Sequence, residues 1–169
     1  MQKALVVYFS RTGFTKKIAA EITARLGADL DAIEDVRSRA GILGYLRSAR
    51  EAFQKIAIEI KPGARNPVDY DLVILGTPVW AGHMSSPMRA YLRAHEGQLK
   101  RVAVFCTQGG SGADKVFEEI AGVCARTPVA TLALNDGEIK RHRYDEKLAR
   151  FLEPLALQKA ADKGRAGEH

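Results

Sequence analysis

The sequence predicts an α/β chain built on a parallel sheet, and three observations carry that expectation. Five strand-like runs, Ala4–Phe9, Asp29–Glu34, Leu72–Thr77, Val102–Cys106 and Val129–Leu134, alternate with helical patterns. The first, third and fourth are apolar almost without interruption, as strands buried on both faces require. Each of those three ends in a turn rich in glycine or hydroxyl residues: Ser10–Thr15, Thr77–His83 and Thr107–Gly112.

Taken in order, Ala4–Phe9 is the first strand, and Ile18, Ala19, Ile22 and Leu26 fall at helical spacing over Thr15–Leu26, with Gly27 as the stop. Asp29–Glu34 is a short second strand whose alternation Ile33 interrupts. In Gly41–Lys55, Ile42, Tyr45, Leu46, Ala49 and Phe53 share one helical face, with Arg47, Arg50 and Lys55 off it. This segment is either a surface helix with a solvated basic face, or a docking face or wall over a ligand site. Ile56–Ile60 alternates like an edge strand or an extended connector, and Pro62–Tyr70 is a loop. Leu72–Thr77 is a strand and Thr77–His83 a loop, and Ser85-Ser86-Pro87 opens a helix with Pro87 in its first turn. Val102–Cys106 precedes a glycine-rich loop, and Asp114 opens a helix carrying Val116, Phe117, Ile120 and Val123. Val129–Leu134 is the last strand. Tyr144–Leu152 closes the fold, Pro154 should end or kink that helix, and Ala156–His169 is expected to be a frayed helix or disordered tail. Residues 1–153 therefore read as one domain and 154–169 as an extension.

The totals bound the classes. A chain of 169 residues, 46% hydrophobic and 27% charged, has room for one ordinary core. No apolar run approaches the ~18 residues of a membrane span. The first strand begins at once, so no signal peptide is expected. Cys106 and Cys124 sit in apolar surroundings without metal-ligand spacing, which fits reduced core thiols and a cytoplasmic location. His83, His95, His142 and His169 show no ligand spacing, and no Ser-His-Asp set can be argued. The net charge is +6, and Val36–Arg65 carries seven basic residues against two acidic. Nucleic acid is a weak candidate for this charge, because the segment lacks interleaved aromatic residues and any reader motif.

The loops carry the chemistry. Ser10-Arg11-Thr12-Gly13-Phe14-Thr15 sets three hydroxyls and a row of amides at a helix N-terminus, a geometry that binds phosphate. The plainer alternative is a helix cap, with Ser10 or Thr12 holding free amides. It has neither the Gly-Lys-Ser/Thr ending of a triphosphate loop nor the G-x-G-x-x-G of a dinucleotide loop. Loops at the C-terminal ends of parallel strands converge where the strand order reverses, and ligands bind there. Trp80, the only tryptophan, lies in a loop beside Gly82 and is not expected in the core. It either stacks on a conjugated ring or anchors the loop on a neighbouring helix. Gly82, Gly109, Gly110 and Gly112 would let backbone approach such a ring. His83 is either a proton or hydrogen-bond donor near that ring or a surface residue.

Ser10-x-Thr12-Gly13-x-Thr15 matches every fixed position of the phosphate loop S/T-x-T-G-x-T, and the chain from about Lys3 to Leu152 resembles the flavodoxin family. The resemblance implies a flavodoxin-like three-layer sandwich, with a five-stranded parallel sheet in the order 2-1-3-4-5, and FMN as cofactor. It implies that Ser10, Arg11, Thr12, Gly13, Phe14 and Thr15 hold the phosphate. Pro78, Val79, Trp80, Ala81 and Gly82 would lie along the isoalloxazine, with His83 beside it, and Thr107, Gln108, Gly109, Gly110 and Gly112 would contact the pyrimidine edge. Three features depart from the family. Thr107–Gly112 has no second aromatic, so one ring face is open or covered by Tyr45 or His83. The chain is basic where many members are acidic. The Val36–Arg65 segment is longer than a minimal connection.

The expected function is electron transfer between partner proteins, including an acidic one docking near Val36–Arg65. The alternative is an FMN-dependent oxidoreductase acting on a small acceptor such as a quinone, in the manner of NAD(P)H-quinone reductases or protoporphyrinogen oxidases.

Overall fold

The computed structural model describes residues 2–36, 50 and 58–165. Among the described residues there are six strands: β1 (Ala4–Tyr8), β2 (Asp29–Ala32), β3 (Leu72–Trp80), β4 (His83–Met84), β5 (Val102–Gln108) and β6 (Thr131–Asn135). Among the described residues the longer helical elements are α1 (Phe14–Leu26), α2 (Ser86–Ala94), α3 (Ala113–Cys124), α4 (Asp136–Lys140) and α5 (Asp145–Arg165). Five strands form a parallel sheet in the order β2-β1-β3-β5-β6, and β4 turns back antiparallel on the end of β3. With β4 set aside, this is the 2-1-3-4-5 order expected from the sequence.

The uninterrupted apolar runs are explained by the two cores. Along β1, Leu5 and Val7 face one core while Val6 and Tyr8 face the other. Val73 and Leu75 alternate in the same way with Leu72 and Ile74, and Val102 and Val104 with Ala103 and Phe105. Met88, Tyr91 and Leu92 of α2 and Val116 and Ile120 of α3 cover the first core. Ile18 and Ile22 of α1, with Leu148 and Phe151 of α5, cover the second. A strand covered on both sides has no solvent face on which a polar residue would be favoured. Between β3 and β5, Gly76 is obligatory, since a Cβ there would lie 2.1 Å from Cζ of Phe105.

Several boundaries differ from the sequence expectation. Pro78, Val79 and Trp80, read as loop, belong to β3, because β4 pairs Val79 with Met84 and Trp80 with His83. Thr107 and Gln108 likewise extend β5, where they pair with Leu134 and Asn135. α5 continues through Pro154 to Arg165. The apolar side that runs on past the proline explains this, since Phe151, Leu152 and Leu155 are all buried in the second core. The short α4 escaped the sequence reading, although Asn135 and Glu138 stand at capping-box spacing and the Asn135 N–H donates to Glu138 at 2.8 Å. Ile56 and Ala57 lie outside the described residues, and within Ile58–Ile60 it is Ile60 that pairs, in an isolated bridge to Asp35. Gly41–Ala49 and all but Arg50 of the basic helical stretch, Tyr45 included, lie outside the described residues.

Candidate functional site

The first loop leaves β1 at Ser10 and enters α1 through Gly13, which has φ +97°. Ser10 Oγ accepts the Gly13 N–H at 3.1 Å and shapes the turn. The first internal helix bond runs from Lys17 N–H to Gly13 C=O at 3.0 Å. The amides of Phe14, Thr15 and Lys16 have no intrahelical acceptor by helix geometry, and no side chain caps the terminus. The first turn of α1 also holds no acidic residue. A Cβ at Gly13 would meet nothing within 4 Å, so the space over this positive helix end is open.

Thr15 is placed differently from its two neighbouring hydroxyls. It is buried, and its Oγ1 lies 2.8 Å from Oγ1 of Thr107. The hydroxyl ties α1 to the end of β5, while Thr12 remains exposed at the cavity.

The second loop is reduced to a two-residue hairpin turn. Ala81 and Gly82 have φ of 49° and 77°, the positive pair that a tight hairpin matching the strand twist demands. Thr77 Oγ1 accepts Ser85 N–H at 3.1 Å and donates to Ser85 Oγ at 2.9 Å. Ser85 Oγ in turn accepts Met88 N–H at the start of α2. Trp80 is 5% exposed and packs edge-on against Phe9, with centroids 5.4 Å apart. The expectation that Trp80 stays out of the core is therefore corrected: the β3–β4 pairing carries its ring inward as the strand continues.

The third loop meets the second directly. A Cβ on Gly112 would stand 3.0 Å from Cα of Gly82 and 3.1 Å from Cγ1 of Val79. Gln108 Oε1 accepts Ala113 N–H at 3.1 Å, and its Nε2 donates to Asn135 Oδ1 at 3.2 Å.

These loops enclose a cavity of about 270 Å³. Arg11, Thr12 and Phe14 line it from the first loop, Pro78, Val79 and Trp80 from the second, and Thr107, Gln108 and Gly109 from the third. Asp136, at the start of α4, completes the wall and was missed by sequence reasoning. Its only signal was the Asn135–Glu138 capping pair. Ser10, Gly13 and Thr15 shape the cavity without lining it, as do Ala81, Gly82 and Gly112 at the hairpin, while Gly110 lies exposed in the third loop. Two larger cavities, about 460 Å³ between β6 and α5 and about 530 Å³ between residues 60–66 and α2, lack this convergence of strand ends.

His83 stands apart from the cavity. It is 6% exposed, its Nδ1 is hydrogen-bonded to Oε1 of Glu119, and its Nε2 lies 3.4 Å from Nζ of Lys115. Glu119 also accepts the Met84 N–H at 3.2 Å and pairs with Arg89 at 3.1 Å. Burial alone would push the Glu119 pKa up, but the bonds from His83 and the Met84 amide, with the Arg89 charge, hold it below the usual carboxylate value. This cluster fastens the hairpin to α3. Cys106 and Cys124 are free and buried, and burial pushes both thiols up, that of Cys124 to about 11. Among the described residues, no group of side chains fits a metal ion, and no helix is long and apolar enough to cross a membrane.

An open helix N-terminus, an exposed threonine and an arginine at one end suit a phosphate, and strand-end backbone with Trp80 at the other suits a flat ring. The residues present thus fit a phosphorylated ring compound. No curated protein matches the sequence. Among solved structures, a flavoprotein of Lactobacillus acidophilus NCFM, crystallised in complex with FMN, is 25% identical. The match covers 83% of this chain and 98% of that one, with a TM-score of 0.69. A protein of Bacteroides eggerthii DSM 20697, provisionally described as a flavoprotein, is 24% identical over 87% of this chain and 98% of its own, with a TM-score of 0.68. A flavodoxin-type, WrbA-like protein of Agrobacterium tumefaciens shares the fold at 17% identity, covering 94% and 99% of the two chains, with a TM-score of 0.53. The flavodoxin family model matches residues 3–154, and the chain belongs to the flavodoxin family, a family of FMN-binding flavoproteins.

Proposed function

We propose that this protein binds FMN in the strand-end cavity and passes electrons between protein partners. The observation that carries the reading is the meeting of three strand-end loops on one cavity, with the uncapped, acid-free N-terminus of α1 at its edge. Ser10 would hold the turn, and Thr12, Arg11 and the amides of Gly13, Phe14 and Thr15 would bind the phosphate. Pro78–Gly82 would flank the ring, with Thr107, Gln108, Gly109, Gly110 and Gly112 along its polar edge. His83 would act through Glu119, keeping the hairpin in place. When bound, FMN supplies the one- and two-electron chemistry, and the chain sets its orientation and electrostatics. A cytoplasmic location is part of this reading, since a reducing compartment suits two buried thiols that do not pair with each other.

A second reading, an oxidoreductase taking a small acceptor such as a quinone, is favoured by one feature. Gly109, Gly110 and Ser111 are exposed, and the third loop carries no aromatic to cover the ring.

An anaerobic absorbance titration of the FMN-loaded protein with NADH and NADPH separates the two. A carrier is expected to keep its flavin band with either nucleotide and to lose it with dithionite. Bleaching by a nucleotide at a turnover rate would establish the enzyme. Failure to load FMN would overturn both readings.

A further inference from the structure

The fold gathers a second cationic surface that the sequence scatters over more than a hundred residues. The turn after α4 is Lys140-Arg141-His142-Arg143, and all four side chains are exposed. The backbone holds this turn firmly: His142 N–H bonds to Ile139 C=O at 3.3 Å and Arg143 N–H to Glu138 C=O at 2.9 Å, with His142 at φ 51°. It packs against the start of α1. His142 Nε2 lies 3.1 Å from Lys17 Nζ, and Lys140 Nζ sits 5.5 Å from the centre of the Phe14 ring. Phe14 is itself a wall of the cavity, so the patch adjoins the cavity rim.

Three of the nearby carboxylates are committed elsewhere, and a fourth, Asp136, lines the cavity. Glu138 holds Lys147 and the Asn135 amide, and Asp145 holds Arg25. Glu21 is bonded to Tyr144 and Arg25. Among the described residues, no carboxylate pairs with Lys16, Lys140, Arg141 or Arg143. Lys16 and Lys17 also stand at the positive end of α1, where cations are unfavourable unless an anion is near. One bound phosphate inside the cavity leaves the outward-facing Arg141 and Arg143 uncompensated.

We propose that this surface, Lys16 and Lys17 with Lys140, Arg141 and Arg143, is the docking site for an acidic redox protein. The proposal rests on the reading of the cavity as the FMN site, because it is adjacency to that rim that makes the patch useful for electron transfer. It differs from the Val36–Arg65 segment, where Lys61 pairs with Glu34 at 2.7 Å and Arg65 approaches Asp29 at 3.6 Å. A nucleic acid would meet the same charge, but His142 is the only ring in this four-residue turn and is held by Lys17, so the turn offers no row of stacking surfaces for bases.

The test uses an acidic [2Fe–2S] ferredoxin as probe, with basic cytochrome c as control and calorimetric affinity as readout. FMN loading is scored separately by absorbance. The wild-type protein is expected to bind ferredoxin with an affinity that falls about tenfold or more between about 0.02 M and 0.2 M NaCl, and to ignore cytochrome c. Arg141→Glu/Arg143→Glu should weaken ferredoxin binding about tenfold in protein that still loads FMN. Arg141→Gln/Arg143→Gln should show a smaller loss in the same direction. Ferredoxin affinity equal to wild type in both variants overturns the docking site, whatever the FMN result. So does binding of duplex DNA that the variants abolish while ferredoxin is unaffected. A protein that binds ferredoxin through these arginines but takes up no FMN keeps the surface and overturns the cavity reading instead.

Discussion

Thr12 and Thr15 occupy equivalent places in the phosphate-loop pattern, yet their surroundings give them different work. Thr12 is exposed at the cavity, whereas Thr15 spends its hydroxyl on Thr107. Thr12→Ala is expected to weaken FMN binding by about 1.5–3 kcal/mol, the worth of a hydrogen bond to a charged group, at unchanged melting temperature. Thr15→Ala should instead cost about 1–3 kcal/mol of folding stability, because the Thr107 hydroxyl is left buried without its partner. Parallel FMN titrations and urea unfolding of the two variants check this division. Glu119 carries the pH dependence at this scale. Its folded pKa lies below the ordinary 4.5, so its contribution is complete above that value and is lost as pH falls through the folded pKa. The gap in urea midpoint between wild type and Glu119→Gln should be widest above about pH 5 and close in stronger acid. A gap independent of pH would contradict the assignment.

At the scale of elements, the hairpin and the third loop act as one unit because they meet through glycine. Gly112 has φ +116° and leaves no room for a Cβ beside Gly82 and Val79. Gly112→Ala must either strain that turn or push the hairpin from α3, and both loosen the cavity. We expect a stability loss of about 1–3 kcal/mol together with weaker FMN binding. Gly122→Ala, at an exposed helical position open within 4 Å and away from the cavity, is the control and should lower neither. Equal behaviour of the two variants would separate the hairpin from the site. The capped start of α2 and the His83–Glu119–Arg89 cluster hold the same hairpin from its other side.

For the molecule as a whole, the two cores make every helix that covers the sheet matter, and α5 most visibly. Leu155 is 2% exposed and belongs to the second core, so that core runs past Pro154. Truncation after Ala156 keeps Leu155 and should lower the melting temperature less than a cut that removes it. Truncation after Glu153 removes the buried Leu155 and should cost about 2 kcal/mol or more. Thermal unfolding of the two truncated chains decides the boundary, and equal melting temperatures would restore the shorter domain.

The strand runs, the strand order implied by the resemblance and the turn into α1 were legible because they are local or periodic: a strand buried on both faces must be apolar throughout, and a turn into a helix needs its glycine and hydroxyls in fixed positions. The fate of individual side chains was not legible. Whether Trp80 meets solvent or Phe9, whether Thr15 faces a phosphate or Thr107, and whether His83 faces the cavity or Glu119 depends on partners 36 to 92 residues away. The same holds for the cationic surface, since Lys17 and His142 are 125 residues apart in the chain and 3.1 Å apart in the fold. Sequence alone determined which residues are available to bind an anion and a ring. Only the tertiary structure decided which of them keep their polar groups for a ligand, because a buried polar group must first satisfy itself within the protein.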